Sequence, residues 1–129
     1  MGAQPAPVGL NSPVAKVFDF SEIQRGPTTW LFEGGPRADA GISMFIVRTR
    51  PGVAVELHTH PYPETFLLLE GRGRWTAGDE VVELEPEQML VVPPETPHGF
   101  RNIGDEPLLV VTVHESGEVD QTWLGRDPA

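Results

Sequence analysis

Residues 51–71 read PGVAVELHTHPYPETFLLLEG. Two of the chain's four histidines, His58 and His60, stand two apart in this stretch, and Glu64 follows four residues later. On an extended chain, residues i and i+2 point to one face about 6.6 Å apart. His58 and His60 therefore project into one space, with Glu56 on their face and Val53, Val55 and Leu57 on the other. The Pro61-Tyr62-Pro63 kink can swing Glu64 round to join the two imidazoles. Two imidazoles and a carboxylate leave open positions on a metal. Non-haem Fe(II) uses this set, and Mn, Ni, Zn, Co and Cu also accept it.

The chain around this stretch reads as short strands broken by Gly and Pro. Strands are predicted over 42–50, 53–60, 65–70, 74–77, 81–84, 88–92, 99–102 and 108–114, with a hairpin turn at Gly78-Asp79. Glu33 to Pro36 reads as a turn cluster. No segment carries apolar residues at i, i+3, i+4, i+7 over three turns, and 14 Gly and 14 Pro at short intervals argue against long helices. The pattern predicts an all-β sandwich or barrel.

At 129 residues the chain has the length of one domain. Nine basic against nineteen acidic side chains give a net charge of −10. Such a surface repels phosphate backbones and anionic lipid, so neither nucleic acid nor a membrane is an expected partner. With no cysteine, disulfides, thiolate metal sites and cysteine nucleophiles are excluded, and any metal must be held by imidazole and carboxylate. No export signal or membrane-length apolar run is seen, which predicts a cytoplasmic protein. One lysine against eight arginines points to a GC-rich bacterial genome. Residues 1–16 read as a loose arm, 17–115 as a single barrel domain and 116–129 as a polar tail whose Trp123 and Leu124 can dock on the body.

The spacing of particular residues resembles the cupin superfamily. The first cupin motif is present in full as Gly52, His58, His60, Glu64 and Gly71. Of the second, Pro93, His98 and Asn102 stand in register, while Glu87 and Glu95 replace its two glycines, a departure that touches loop geometry and no ligand. The resemblance covers roughly residues 28–114. It implies a double-stranded β-helix, the jelly-roll cupin barrel, with one divalent metal ion inside near one mouth. The implied ligands are His58, His60, Glu64 and His98, and Glu64 is also the candidate catalytic base.

Other residues carry two readings each. Phe45, Val47, Phe66, Leu68 and Phe100 either line a substrate pocket or fill plain core. His114 is either a satisfied rim histidine or a pocket acid/base. The functional expectation is a metal-dependent cupin acting on a small molecule, foremost an oxygenase. The alternatives are a redox-neutral isomerase, cyclase or lyase, and a non-enzymatic small-molecule binder. By analogy with single-domain cupins, a homodimer is expected.

Overall fold

The computed structural model describes residues 15–129. The arm expected over residues 1–16 lies outside the described residues up to residue 14.

Two short helices, α1 (Phe20–Ile23) and α2 (Gly34–Ala38), flank two strands near the N-terminus, β1 (Gln24–Gly26) and β2 (Thr29–Glu33). The remaining strands are β3 (Ser43–Thr49), β4 (Ala54–Thr59), β5 (Glu64–Glu70), β6 (Gly73–Ala77), β7 (Glu80–Leu84), β8 (Met89–Val92), β9 (His98–Asn102), β10 (Leu108–His114) and β11 (Thr122–Trp123). They form a six-stranded sheet, β1-β2-β3-β10-β5-β8, and a five-stranded sheet, β11-β4-β9-β6-β7. This is the double-stranded β-helix that the motif spacing implies. Among the described residues, no helix is long and apolar enough to cross a membrane.

Period-two alternation decides which side chains enter the barrel. Along β10, Leu108, Val110, Thr112 and His114 are buried, while the residues between them are half-buried. Along β5, Glu64, Phe66 and Leu68 point inward. The barrel is thereby divided along its axis. One end is an apolar core of Phe66, Leu68, Trp75, Leu84, Val92, Phe100, Leu108 and Val110. Trp75 stacks on Phe100 at 5.0 Å and meets Phe66 edge-on at 5.6 Å. The other end is polar and carries the histidines.

Three features depart from the sequence reading. The turn cluster at Glu33 to Pro36 runs into the single-turn helix α2. Strands β1, β2 and β11 have no counterpart in the predicted set. Strict alternation also fails on β4. Val55 pairs with Phe100 and His58 with His98, so three steps on β4 face two on β9. The extra residue is a β-bulge. It turns Val55 to the same interior as His58, where alternation would place it on the opposite face. Glu56 stays exposed.

The two motif glycines that are present, Gly52 and Gly71, have φ of 82° and 86°. The two positions where glutamate replaces a motif glycine are also left-handed, with φ of 73° at Glu87 and 60° at Glu95. Residues with a Cβ pay about 1–2 kcal/mol for this conformation, partly offset by the lower chain entropy that a non-glycine loses on folding. Glu87→Gly is therefore expected to stabilise the protein by about 0.5–1 kcal/mol. The urea midpoint is the readout, and an unchanged or lower midpoint would show that Glu87 is not strained.

Candidate metal centre

Two cross-strand pairs face each other across the polar end of the barrel. On the six-stranded sheet Glu64 lies opposite His114, and on the five-stranded sheet His58 lies opposite His98. His60 follows the end of β4 and closes the ring. All five side chains are buried, Glu64 to 3% exposure. The ligand atoms of His58, His60, Glu64 and His98 lie within 4.8 Å of one another. Opposite ligands of one ion stand roughly 4.2 Å apart at metal–nitrogen distances near 2.1 Å, so closing the cluster onto an ion takes only a small contraction.

The hydrogen bonds behind the imidazoles fix their orientation. Each of the three donates Nδ1–H to a backbone carbonyl: His58 to Glu56 at 2.8 Å, His60 to Asp120 at 2.9 Å and His98 to Thr96 at 2.8 Å. A neutral imidazole has only one N–H, so the Nε2 atoms present lone pairs. Yet His60 Nε2 and His98 Nε2 stand 2.9 and 2.8 Å from Glu64 Oε1. Lone pairs facing a carboxylate oxygen in a buried site repel unless a cation or a proton lies between them. The donor set and its charge thus fit one divalent metal ion.

The electrostatics agree. Burial pulls His58 down to about 4, so it stays neutral and ready to ligate. Burial also opposes charge on His60, but Glu64 and the Asp120 carbonyl outweigh it and raise its pKa above 6.5. Burial likewise opposes ionisation of Glu64, but contacts with His114, His60 and His98 hold it well below the ordinary carboxylate range. Without metal, a proton on His60 neutralises the carboxylate, and metal must displace that proton.

His114 lies beside this set. Its Nε2 is 3.0 Å from Glu64 Oε2 but off the line that a hydrogen bond requires, so the atom keeps no hydrogen-bond partner among the described residues. Its Nδ1 is 2.8 Å from the Tyr62 hydroxyl, which accepts the Asp120 N–H at 3.1 Å. A buried O–H needs an acceptor and Nδ1 is the one it meets among the described residues, so the Tyr62 hydroxyl is assigned as donor to Nδ1, which leaves the imidazole proton on Nε2. The Tyr62 ring stacks on His60 at 5.0 Å.

A cavity of about 340 Å³ opens beside the centre. Of the sequence-predicted pocket residues, Phe45, Val47, Phe66, Phe100 and His114 line it, whereas Leu68 lies in the apolar core and does not. Val55, Thr112, Gln121, Trp123 and, at the rim, Arg25 also line it. Sequence reasoning missed Tyr62, Asp120 and Trp123 as parts of the site. Tyr62 had a signal, being the chain's single tyrosine, set between two prolines in the histidine stretch. Asp120 acts through its backbone, which leaves no trace in side-chain chemistry.

The fold and the site together define a metal-binding double-stranded β-helix barrel. The Cupin domain family model matches residues 45–114, more than half of the chain, and the protein belongs to that family. A curated relative, "Polyketide synthase CurC" of Streptomyces cyaneus, is 40% identical over 63 residues, spanning 48% of this chain and 41% of the relative. The solved oxalate decarboxylase of Lactobacillus farciminis, a formate complex, superposes with a TM-score of 0.75 at 24% identity, over 93% of this chain and 41% of that one. An uncharacterised protein with a double-stranded β-helix domain from Klebsiella pneumoniae gives 0.69 at 20% identity, over 88% and 99%. The chain thus spans less than half the length of the curated relative and of the decarboxylase.

The segment after Gly117 is tied across the mouth of the barrel. Val119 N–H bonds Glu33, Asp120 serves His60 and Tyr62, β11 pairs with β4, and Leu124 and Gly125 N–H both bond Leu57 O. Removing residues 118–129 takes the Nδ1 acceptor from His60. Metal affinity is expected to fall about 10- to 100-fold, read by competition with a chromophoric chelator. Unchanged affinity would show that the strap does not support the centre.

Proposed function

We propose that this protein is a metal-dependent enzyme acting on a small, mainly apolar molecule, and that its reaction is an oxygenation. The observation that carries the reading is a buried three-histidine, one-carboxylate cluster opening onto a cavity walled by Phe45, Val47, Phe66 and Phe100. A metal held by His58, His60, Glu64 and His98 supplies Lewis acidity and, if redox-active, O₂ chemistry. The apolar walls exclude water and admit a nonpolar gas and an apolar substrate body. His114, which lines the cavity, would hold a proton at Nε2 for a substrate oxygen, with Tyr62 fixing its tautomer.

Oxalate, named as the substrate of the decarboxylase neighbour, is a small dianion. Here the cation that lines the cavity is Arg25, whose side chain is 60% exposed and 3.6 Å from Glu33. That arrangement favours a larger, less charged substrate. The second reading is a redox-neutral isomerase, cyclase or lyase, favoured by the likeness to a polyketide synthase and by the His114–Tyr62 pair.

The test is elemental analysis of protein purified anaerobically without a metal-binding tag, followed by O₂ uptake with phenolic candidates. About one equivalent of iron with O₂ consumption is the expected result. Turnover with zinc, nickel or manganese and no O₂ uptake would establish the redox-neutral reading. Ligand-induced stabilisation without turnover would make the protein a binder, and failure to take up any metal would end the proposal.

We also propose that the protein is a cytoplasmic homodimer. The edge strand β8 of the six-stranded sheet supports pairing, with Met89 and Val91 exposed to 61% and 60%. Sedimentation at the monomer mass would refute it.

A further inference from the structure

We propose that the cavity selects a planar unsaturated ring with oxygens on opposite sides, and that Trp123 and Thr112 are the residues that select it. The inference rests on the proposed reading of the centre as an open metal site beside a substrate cavity.

Trp123 lies directly opposite His58 in the β11–β4 ladder, so its side chain shares the face that carries the ligand. The two rings are 4.9 Å apart, and Trp123 lines the cavity. Yet the residue is 57% exposed. It is held there by its backbone: β11 pairs with β4, and the next two N–H groups bond Leu57 O. An indole with a free face beside a metal ligand is a ready stacking surface for a flat ring. Phe45, Phe66 and Phe100 provide further flat apolar contacts within the cavity.

The second observation is Thr112. It is 2% exposed, it lines the cavity, and its Oγ1 has no hydrogen-bond partner in the chain. Valine would give the same shape without an orphaned hydroxyl, and Val110 precedes it on the same inward face of β10. A buried hydroxyl without a partner is a liability that a ligand oxygen relieves. Thr112 and His114 are alternate residues of one strand, about 6.6 Å apart, and His114 Nε2 is 3.0 Å from Glu64. That step along the strand is about the length of one six-membered ring with substituents at both ends. A ring that reaches the centre with one oxygen can meet Thr112 with the other while its face lies on Trp123.

The probes are 4-nitrocatechol, which has vicinal ring oxygens and a nitro group across the ring, and acetohydroxamate, an acyclic two-oxygen chelator. Binding to the zinc-loaded full-length protein is followed by calorimetry, after the metal content of each variant is verified. Trp123→Ala is expected to weaken 4-nitrocatechol about tenfold and acetohydroxamate less than about twofold. Trp123→Leu, which keeps apolar cover over His58, guards against loss of metal and is expected to show the same selectivity. Thr112→Val is expected to weaken 4-nitrocatechol about fivefold and leave unsubstituted catechol unchanged. Equal loss of both chelators in the Trp123 variants would mean that the indole only positions His58, and would overturn the inference. Failure of the zinc-loaded wild type to bind either chelator would instead overturn the reading of an open metal site.

Discussion

The mouth of this barrel is organised around one buried carboxylate. Glu64 is 3% exposed, and an ionised group so placed costs several kcal/mol unless compensated. Its Oε1 is shared by His60 and His98, and its Oε2 faces His114. The three ligand imidazoles spend their Nδ1 protons on backbone carbonyls, so what they offer Glu64 is lone pairs. Positive charge must therefore come from outside the neutral rings. A divalent cation supplies it, and otherwise a proton on His60 does, which is why that imidazole is more basic than an ordinary one while its neighbour His58 is far less so. The centre is a place where metal and proton compete for one pocket of negative potential.

The jelly roll delivers these groups economically. Glu64 and His114 are register partners on one sheet, His58 and His98 on the other, so backbone pairing alone sets two of the distances across the site. The bulge on β4 keeps His58 inward while bringing Val55 inward too, so one strand contributes both a ligand and a wall. The aromatic core at the opposite end of the barrel carries the packing and leaves the polar end free for chemistry.

Local sequence made most of this legible. His58, His60 and Glu64 announce themselves through strand parity and a proline kink, and the strands carry period-two alternation between Gly and Pro breaks. The acceptors for His58 and His98 are carbonyls two residues upstream, within the same local stretch. The acceptor for His60 lies 60 residues away in a polar segment with no periodicity, and only tertiary structure brings Asp120 there. β11 is likewise two residues long and exists because β4 offers an edge. The inward turn of Val55 was illegible for another reason: a bulge breaks the alternation on which strand reading depends.

Sharing one carboxylate between ligand set and proton relay constrains which group can move a proton. Glu64 enters the sequence reading as the candidate base. In the fold, its Oε1 is held by the side where the metal ligands converge and its Oε2 faces His114. Neither oxygen is free to receive a substrate proton without surrendering a contact that pays for its burial. His114 is differently placed. It lies outside the four-residue cluster and lines the cavity, its Nδ1 is tied to Tyr62, and its Nε2 has no hydrogen-bond partner among the described residues. On the proposed reading, Glu64 therefore serves better as a ligand, and His114 as the carrier of protons to and from a bound molecule. Tyr62 and the Asp120 amide behind it would keep that proton on Nε2 rather than Nδ1.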